Sequence, residues 1–119
     1  MTGRPRSPLA EGLSMTEKEF EAKLREIADL YGYACYHTHD SRRSDAGWPD
    51  LVLCKAPRLV FAELKTDSKR SKASPAQVKW LRDLEASGQE VALWRPAELP
   101  TILRVLGPRQ ERAVLVLPE

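Results

Sequence analysis

The sequence predicts one mixed α/β domain, a short sheet with helices against both of its faces. Three observations point there. The 119 residues suffice for one hydrophobic core and not for two. Apolar residues recur at helical spacing after Glu17 and again after Pro75, with strand-like runs between and beyond them. A helical stretch separates the last two strands, which is the usual crossover between neighbours in a parallel pair.

Residues 1–14 hold Gly3, Pro5, Pro8 and Gly12 without periodicity and read as a flexible arm, leaving a single domain over 15–119. Thr16 followed by Glu19 is a capping box, so a helix should start near Glu17. Phe20, Leu24, Ile27, Ala28 and Tyr31 form its apolar face, and Gly32 ends it. Tyr33 to Thr38 is β-prone, and His39 to Trp48 is a polar loop. Asp50 to Cys54 is a second strand, Lys55 to Arg58 a tight turn around Pro57, and Leu59 to Lys65 a third strand. That third strand is apolar on both faces, so both should be covered. Thr66 to Ala73 is a basic loop. Ser74-Pro75-Ala76-Gln77 is a second capping box with proline at the first helical position. The helix it opens should end near Gly88. Glu90 to Arg95 reads as a fourth strand stopped by Pro96, and Glu98 to Leu106 as a short helix kinked or started by Pro100. Ala113 to Leu117 could add an edge strand.

The composition narrows the function. Apolar content of 42% and charged content of 30% fit a soluble globular chain. No apolar run approaches a membrane span and the polar N-terminus lacks a signal-peptide core, so a cytoplasmic protein is expected. The formal charge of +2 excludes the strongly basic signature of a diffuse nucleic-acid binder, so such binding must come from local patches. Cys35 and Cys54 sit in strand-like segments and read as reduced core residues.

The chemistry lies in two short segments, Gly47-Trp48-Pro49-Asp50-Leu51 and Glu63-Leu64-Lys65. Strand side chains alternate, so Glu63 and Lys65 point the same way. If the two segments pair, Asp50 joins them at one edge of the sheet. Two carboxylates can hold a hard cation such as magnesium through oxygen. A lysine beside it is no ligand but can orient or activate a water. The set suggests metal-assisted hydrolysis of a phosphodiester. Taken singly, Asp50 could cap a turn, Glu63 and Lys65 could be an exposed pair, and Gln77 is an ordinary capping residue.

In order, Gly47-Trp48-Pro49-Asp50, Glu63-Leu64-Lys65, Ser74-Pro75-Ala76-Gln77, Gly88 and the strand from Val91 to Pro96 resemble the virus-type replication-repair nuclease (VRR-NUC) domain. That domain belongs to the PD-(D/E)xK nuclease superfamily. The resemblance spans about residues 16–105, and the separation of 13 positions between Asp50 and Glu63 is part of it. It implies a restriction-endonuclease-like mixed sheet flanked by helices. It also implies a magnesium-dependent DNA endonuclease, with manganese substituting. Asp50 and Glu63 would be metal ligands helped by the Leu64 carbonyl, Lys65 the catalytic lysine, and Gln77 a supporting active-site residue. Stand-alone members of that group, often phage-encoded, cleave branched DNA, and some resolve Holliday junctions as homodimers. In a phage-encoded case the location is the host cytoplasm.

The resemblance also calls for a glutamate from the first helix. Glu17 lies about 35° from the centre of the apolar face and Glu21 about 75° away, so Glu17 is preferred and Glu21 is second. His37, Ser41, Arg42 and Arg43 before Asp50, with Lys69 and Arg70 after Lys65, are the candidate phosphate contacts, because the DNA backbone is polyanionic. Trp48 either packs under its loop or stacks on an unpaired base. Two rival readings remain. One is a non-catalytic nucleic-acid-binding module that retains the fold. The other is a zinc-stabilised domain using Cys35, His37, His39 and Cys54, which lack paired metal-ligand spacing.

Overall fold

The computed structural model describes residues 15–38 and 45–118. The N-terminal arm, His39, Ser41, Arg42 and Arg43 lie outside the described residues. Helix α1 (Glu17–Leu30) opens on the Thr16–Glu19 capping box, and its buried face is Phe20, Leu24, Ile27 and Ala28. Strands β1 (Ala34–His37), β2 (Leu51–Lys55) and β3 (Arg58–Leu64) form an antiparallel meander. Helix α2 (Pro75–Ala86) crosses over to β4 (Glu90–Trp94), which pairs with β3 in parallel. The sheet order is β1-β2-β3-β4. A 3₁₀ turn (Pro96–Glu98) leads into α3 (Leu99–Leu106), the short helix expected over Glu98 to Leu106. Gly88 takes φ +88° after α2, the left-handed conformation a helix C-terminus asks of glycine. Among the described residues no helix is long and apolar enough to cross a membrane.

The mixed sheet with helices on both faces is the architecture expected from the sequence. Leu51, Leu53, Val60, Ala62, Leu64, Ala92 and Trp94 face α1 and α3 in one core cluster. Phe61, Val91 and Leu93 face the other way with Leu81 of α2. Strand alternation turns one sequence into two cores, and β3 is apolar on both faces because both are covered.

Two expectations fail. The ladder of β2 begins at Leu51 and that of β3 ends at Leu64, so Asp50 and Lys65 lie just outside it. The Asp50 carboxylate accepts from the Leu64 N–H at 2.8 Å, replacing a ladder bond with a side-chain one. The edge strand at Ala113 to Leu117 does not form. Ala113 packs in the α1-side core while Leu115 and Leu117 pack against the α2-side cluster, so the segment crosses the edge of the sheet instead of running along it. Its first N–H, from Ala113, goes to the Glu90 carboxylate at 2.9 Å.

The far end of β3 is held by Arg58. Its guanidinium is bidentate on Glu90 at 2.8 and 2.7 Å, and it also donates to the Tyr33 hydroxyl and to the carbonyls of Val105 and Glu111. This clamp ties β3, β4, α3, the residue before β1 and the C-terminal segment together at the end of the sheet opposite the candidate site.

Candidate active site

Continuing the Leu51–Ala62 register by one step sets Asp50 opposite Glu63, on the face covered by α2. Glu63 is 1% exposed. Its Oε2 accepts from Gln77 Nε2 at 2.9 Å and lies 3.2 Å from Lys65 Nζ. Its Oε1 is buried and has no hydrogen-bond partner. Burial pushes the Glu63 carboxyl up to about 8, the Asp50 charge adds to this, and Lys65 opposes it.

Gln77 is the third residue of α2, so the capping box fixes it. Its Oε1 accepts from the Ser74 N–H at 2.8 Å while its Nε2 reaches Glu63. One amide thus caps the helix and orients the acid. The loop before Asp50 is seated on the same helix end. Gly47 has φ +91°, and a Cβ there would stand 2.4 Å from the Ala76 carbonyl carbon. Only glycine lets that loop approach so closely.

Leu64 buries its side chain in the α1-side core, so it meets the site through its backbone. Glu17, at the exposed first turn of α1, feels the Asp50 and Lys65 charges. Desolvation first, and then Asp50, raise its carboxyl above the ordinary value, while Lys65 lowers it. Glu21 points elsewhere, lying 3.2 Å from His37 Nδ1 and 3.6 Å from Arg25. His37 pairs with Leu51 in register and therefore sits on the α1 side of the sheet, away from Glu63. Lys69 and Arg70 are exposed in the loop after Lys65. That loop is shaped by Ser68 and Ser71, whose hydroxyls accept from the Arg70 and Thr66 N–H groups. Ser41, Arg42 and Arg43 fall outside the described residues.

The zinc reading fails on geometry. Cys35 opposes Leu53 and packs on the α1-side core, whereas Cys54 opposes Ala34 on the other face and is exposed. Among the described residues no group of three or more His, Cys, Asp or Glu side chains is set to hold a metal. The pair that does converge, Asp50 and Glu63, is all oxygen. A buried carboxylate oxygen without a partner beside a second carboxylate fits a hard cation that keeps most of its waters.

Sequence reasoning missed the surroundings of this pair. Arg95 donates to the Thr66 carbonyl, and Asp67 accepts from the Ala97 N–H at 3.1 Å, which together brace the loop after Lys65. Tyr36 shares the face of Asp50 once the Tyr36–Val52 register is known, and Trp80 meets Trp48 edge-on at 4.9 Å. Register was the missing signal, since it depends on pairing and not on any one segment.

A mixed sheet with its acids on one face at the strand ends, and a helix on each side, places the chain in the restriction-endonuclease-like α/β class. Among solved structures the chain is similar to one described as a VRR_NUC domain. The two are 17% identical, with 77% of this chain and 95% of that chain covered and a TM-score of 0.62. It is also similar to one described as a VRR_NUC domain protein, 18% identical, with 87% and 94% covered and a TM-score of 0.64. The particular fold of the chain is therefore that of the VRR-NUC domain. No family model matches the sequence, and no curated protein does.

Proposed function

We propose that the chain is a magnesium-dependent DNA endonuclease that hydrolyses phosphodiester bonds in branched DNA, Holliday junctions among them. Manganese substitutes for magnesium, and the protein works as a cytoplasmic homodimer. The observation that supports this best is the buried Glu63 carboxyl opposite Asp50, with one oxygen gripped by Gln77 and Lys65 and the other unpartnered. A protein that only bound DNA would gain little from two carboxylates facing a polyanion.

Asp50, Glu63 and the Leu64 carbonyl would hold the cation, with Glu17 at the rim. When bound, it supplies Lewis-acid polarisation of the phosphate and a water of lowered pKa. Gln77 keeps Glu63 aimed. Lys65 orients the attacking water or balances charge developing on the phosphate. Lys69, Lys72 and Arg95, which outnumber Asp67, line a cleft of about 390 Å³ after the end of β3 that suits a phosphate backbone.

The test is incubation with flap, junction, single-stranded and duplex DNA in magnesium, manganese or chelator. Cleavage only with metal, lost in Asp50→Ala and Glu63→Ala while circular dichroism is unchanged, is expected. Lys65→Ala should lose turnover and keep near-wild-type manganese affinity by calorimetry. Full cleavage by either carboxylate variant would overturn the assignment.

A further inference from the structure

On the same face of the sheet as Asp50 and Glu63, a cleft of about 300 Å³ opens between Tyr36, Thr38, Asp45, Trp48 and Trp80. The hydrolysis has no use for it. Its walls are largely fixed. Trp48 is edge-on to Phe61 at 5.8 Å and to Trp80 at 4.9 Å, and the Thr38 hydroxyl donates to the Pro49 carbonyl at 3.1 Å. Tyr36 stands on the edge strand and is 63% exposed, a large ring turned to solvent at the mouth.

The chemistry of the lining selects an occupant. Three aromatic side chains favour a flat π-face. Among the described residues the one charged group in the lining is the Asp45 carboxylate, which repels phosphate and accepts from N–H donors. A neutral planar ligand with N–H donors at its edge satisfies both, and a nucleobase is such a ligand. Trp48 stands two residues before Asp50, so its Cα lies at most about 7 Å from that of Asp50. That is within reach of the nucleotide next to the one being cut. A base inside an intact duplex is already stacked and cannot also stack on a side chain. We infer that this cleft stacks an unpaired base adjacent to the cleaved phosphate, and that it directs the enzyme toward flaps, junctions and single strands. The inference rests on the nuclease reading and adds to it the feature of the DNA that is recognised.

The experiment places a single abasic site at successive positions around the branch of a flap DNA. Binding is read by fluorescence anisotropy in calcium, and cleavage is read separately in magnesium. Wild-type protein should lose about tenfold in affinity at one position, within the range of one stacked base. Tyr36→Ala and Trp80→Leu should bind the intact flap about as weakly as wild type binds that abasic DNA, and should be indifferent to the abasic position. Tyr36→Phe, which keeps the ring, should restore discrimination. Wild-type protein that binds and cleaves flaps without any abasic penalty overturns the cleft and leaves the nuclease reading standing. A penalty that survives in both variants does the same. Wild-type protein that cleaves no DNA in magnesium, yet shows the abasic penalty, overturns only the nuclease reading.

Discussion

At the scale of single residues, Glu63 decides how the apo protein behaves. Its carboxyl is raised to about 8 from 4.5, first by burial and then by Asp50. Between those values the folded protein holds a proton that the unfolded chain has lost. Stability of the metal-free protein should therefore fall as pH rises from about 4.5 to 8, by up to about 1.4 kcal/mol per pH unit. Glu17 is shifted in the same direction and adds to the slope. Thermal melts across this range should show a falling midpoint, and Glu63→Gln should flatten it and melt higher than wild type near pH 8. Calcium should raise the wild-type midpoint most at the alkaline end and release protons into weak buffer, because a cation replaces the proton at the acid pair. A wild-type midpoint that rises across the range would contradict a protonated Glu63.

At the scale of elements, the N-terminus of α2 does two jobs, and substitution can separate them. Ser74 caps the helix by accepting from the Gln77 N–H at 3.2 Å, whereas Gln77 both completes the box and holds Glu63. Ser74→Ala should cost about 1 kcal/mol in urea unfolding and leave cleavage close to wild type. Gln77→Ala should cost a comparable amount and also lower metal affinity or turnover by about 10- to 100-fold, as loss of a ligand-orienting partner does elsewhere. Equal activity in the two variants would make Gln77 only a cap. Gly47→Ala should fall with the damaging group, since its methyl meets the Ala76 backbone at a left-handed position. Both capping boxes, the crossover and the four strands were legible because each is a local pattern in residue type and spacing. The fate of Ala113 to Leu117 was not, although its alternation reads as a strand. The outer edge of β4 stays open to it among the described residues, but the Glu90 carboxylate that takes the Ala113 N–H belongs to a clamp spanning the chain from Arg58 to Glu111.

At the scale of the whole molecule, the candidate site and the structural clamp occupy opposite ends of one sheet. Of the candidate site, Asp50, Glu63 and Lys65 could be named from residue type and spacing and Gln77 only through the family resemblance, and the structure sets Gln77 and Lys65 on Glu63 with Asp50 opposite. His37 could not be placed, because it shares a stretch of sequence with the site and yet lies across the sheet from Glu63. Arg58→Met should destabilise the fold by about 3–5 kcal/mol, since it strands the half-buried Glu90 carboxylate, without changing metal affinity at the distant acids. DNA binding should be just as local. The chain carries a formal charge of only +2, so there is no broad field to draw a polyanion in. Affinity must rest on a few cations beside the acids, and Lys69 and Arg70 are the first exposed ones after Lys65 along the chain. Replacing both with glutamine should lower the slope of log affinity against log salt by about 2, one contact each. The loss should be the same for different DNA sequences, because phosphate contacts position the protein without reading bases. Anisotropy titrations over a salt series in calcium measure this directly. An unchanged slope in the double variant would move the DNA path away from the end of β3 and toward the other side of the acid pair.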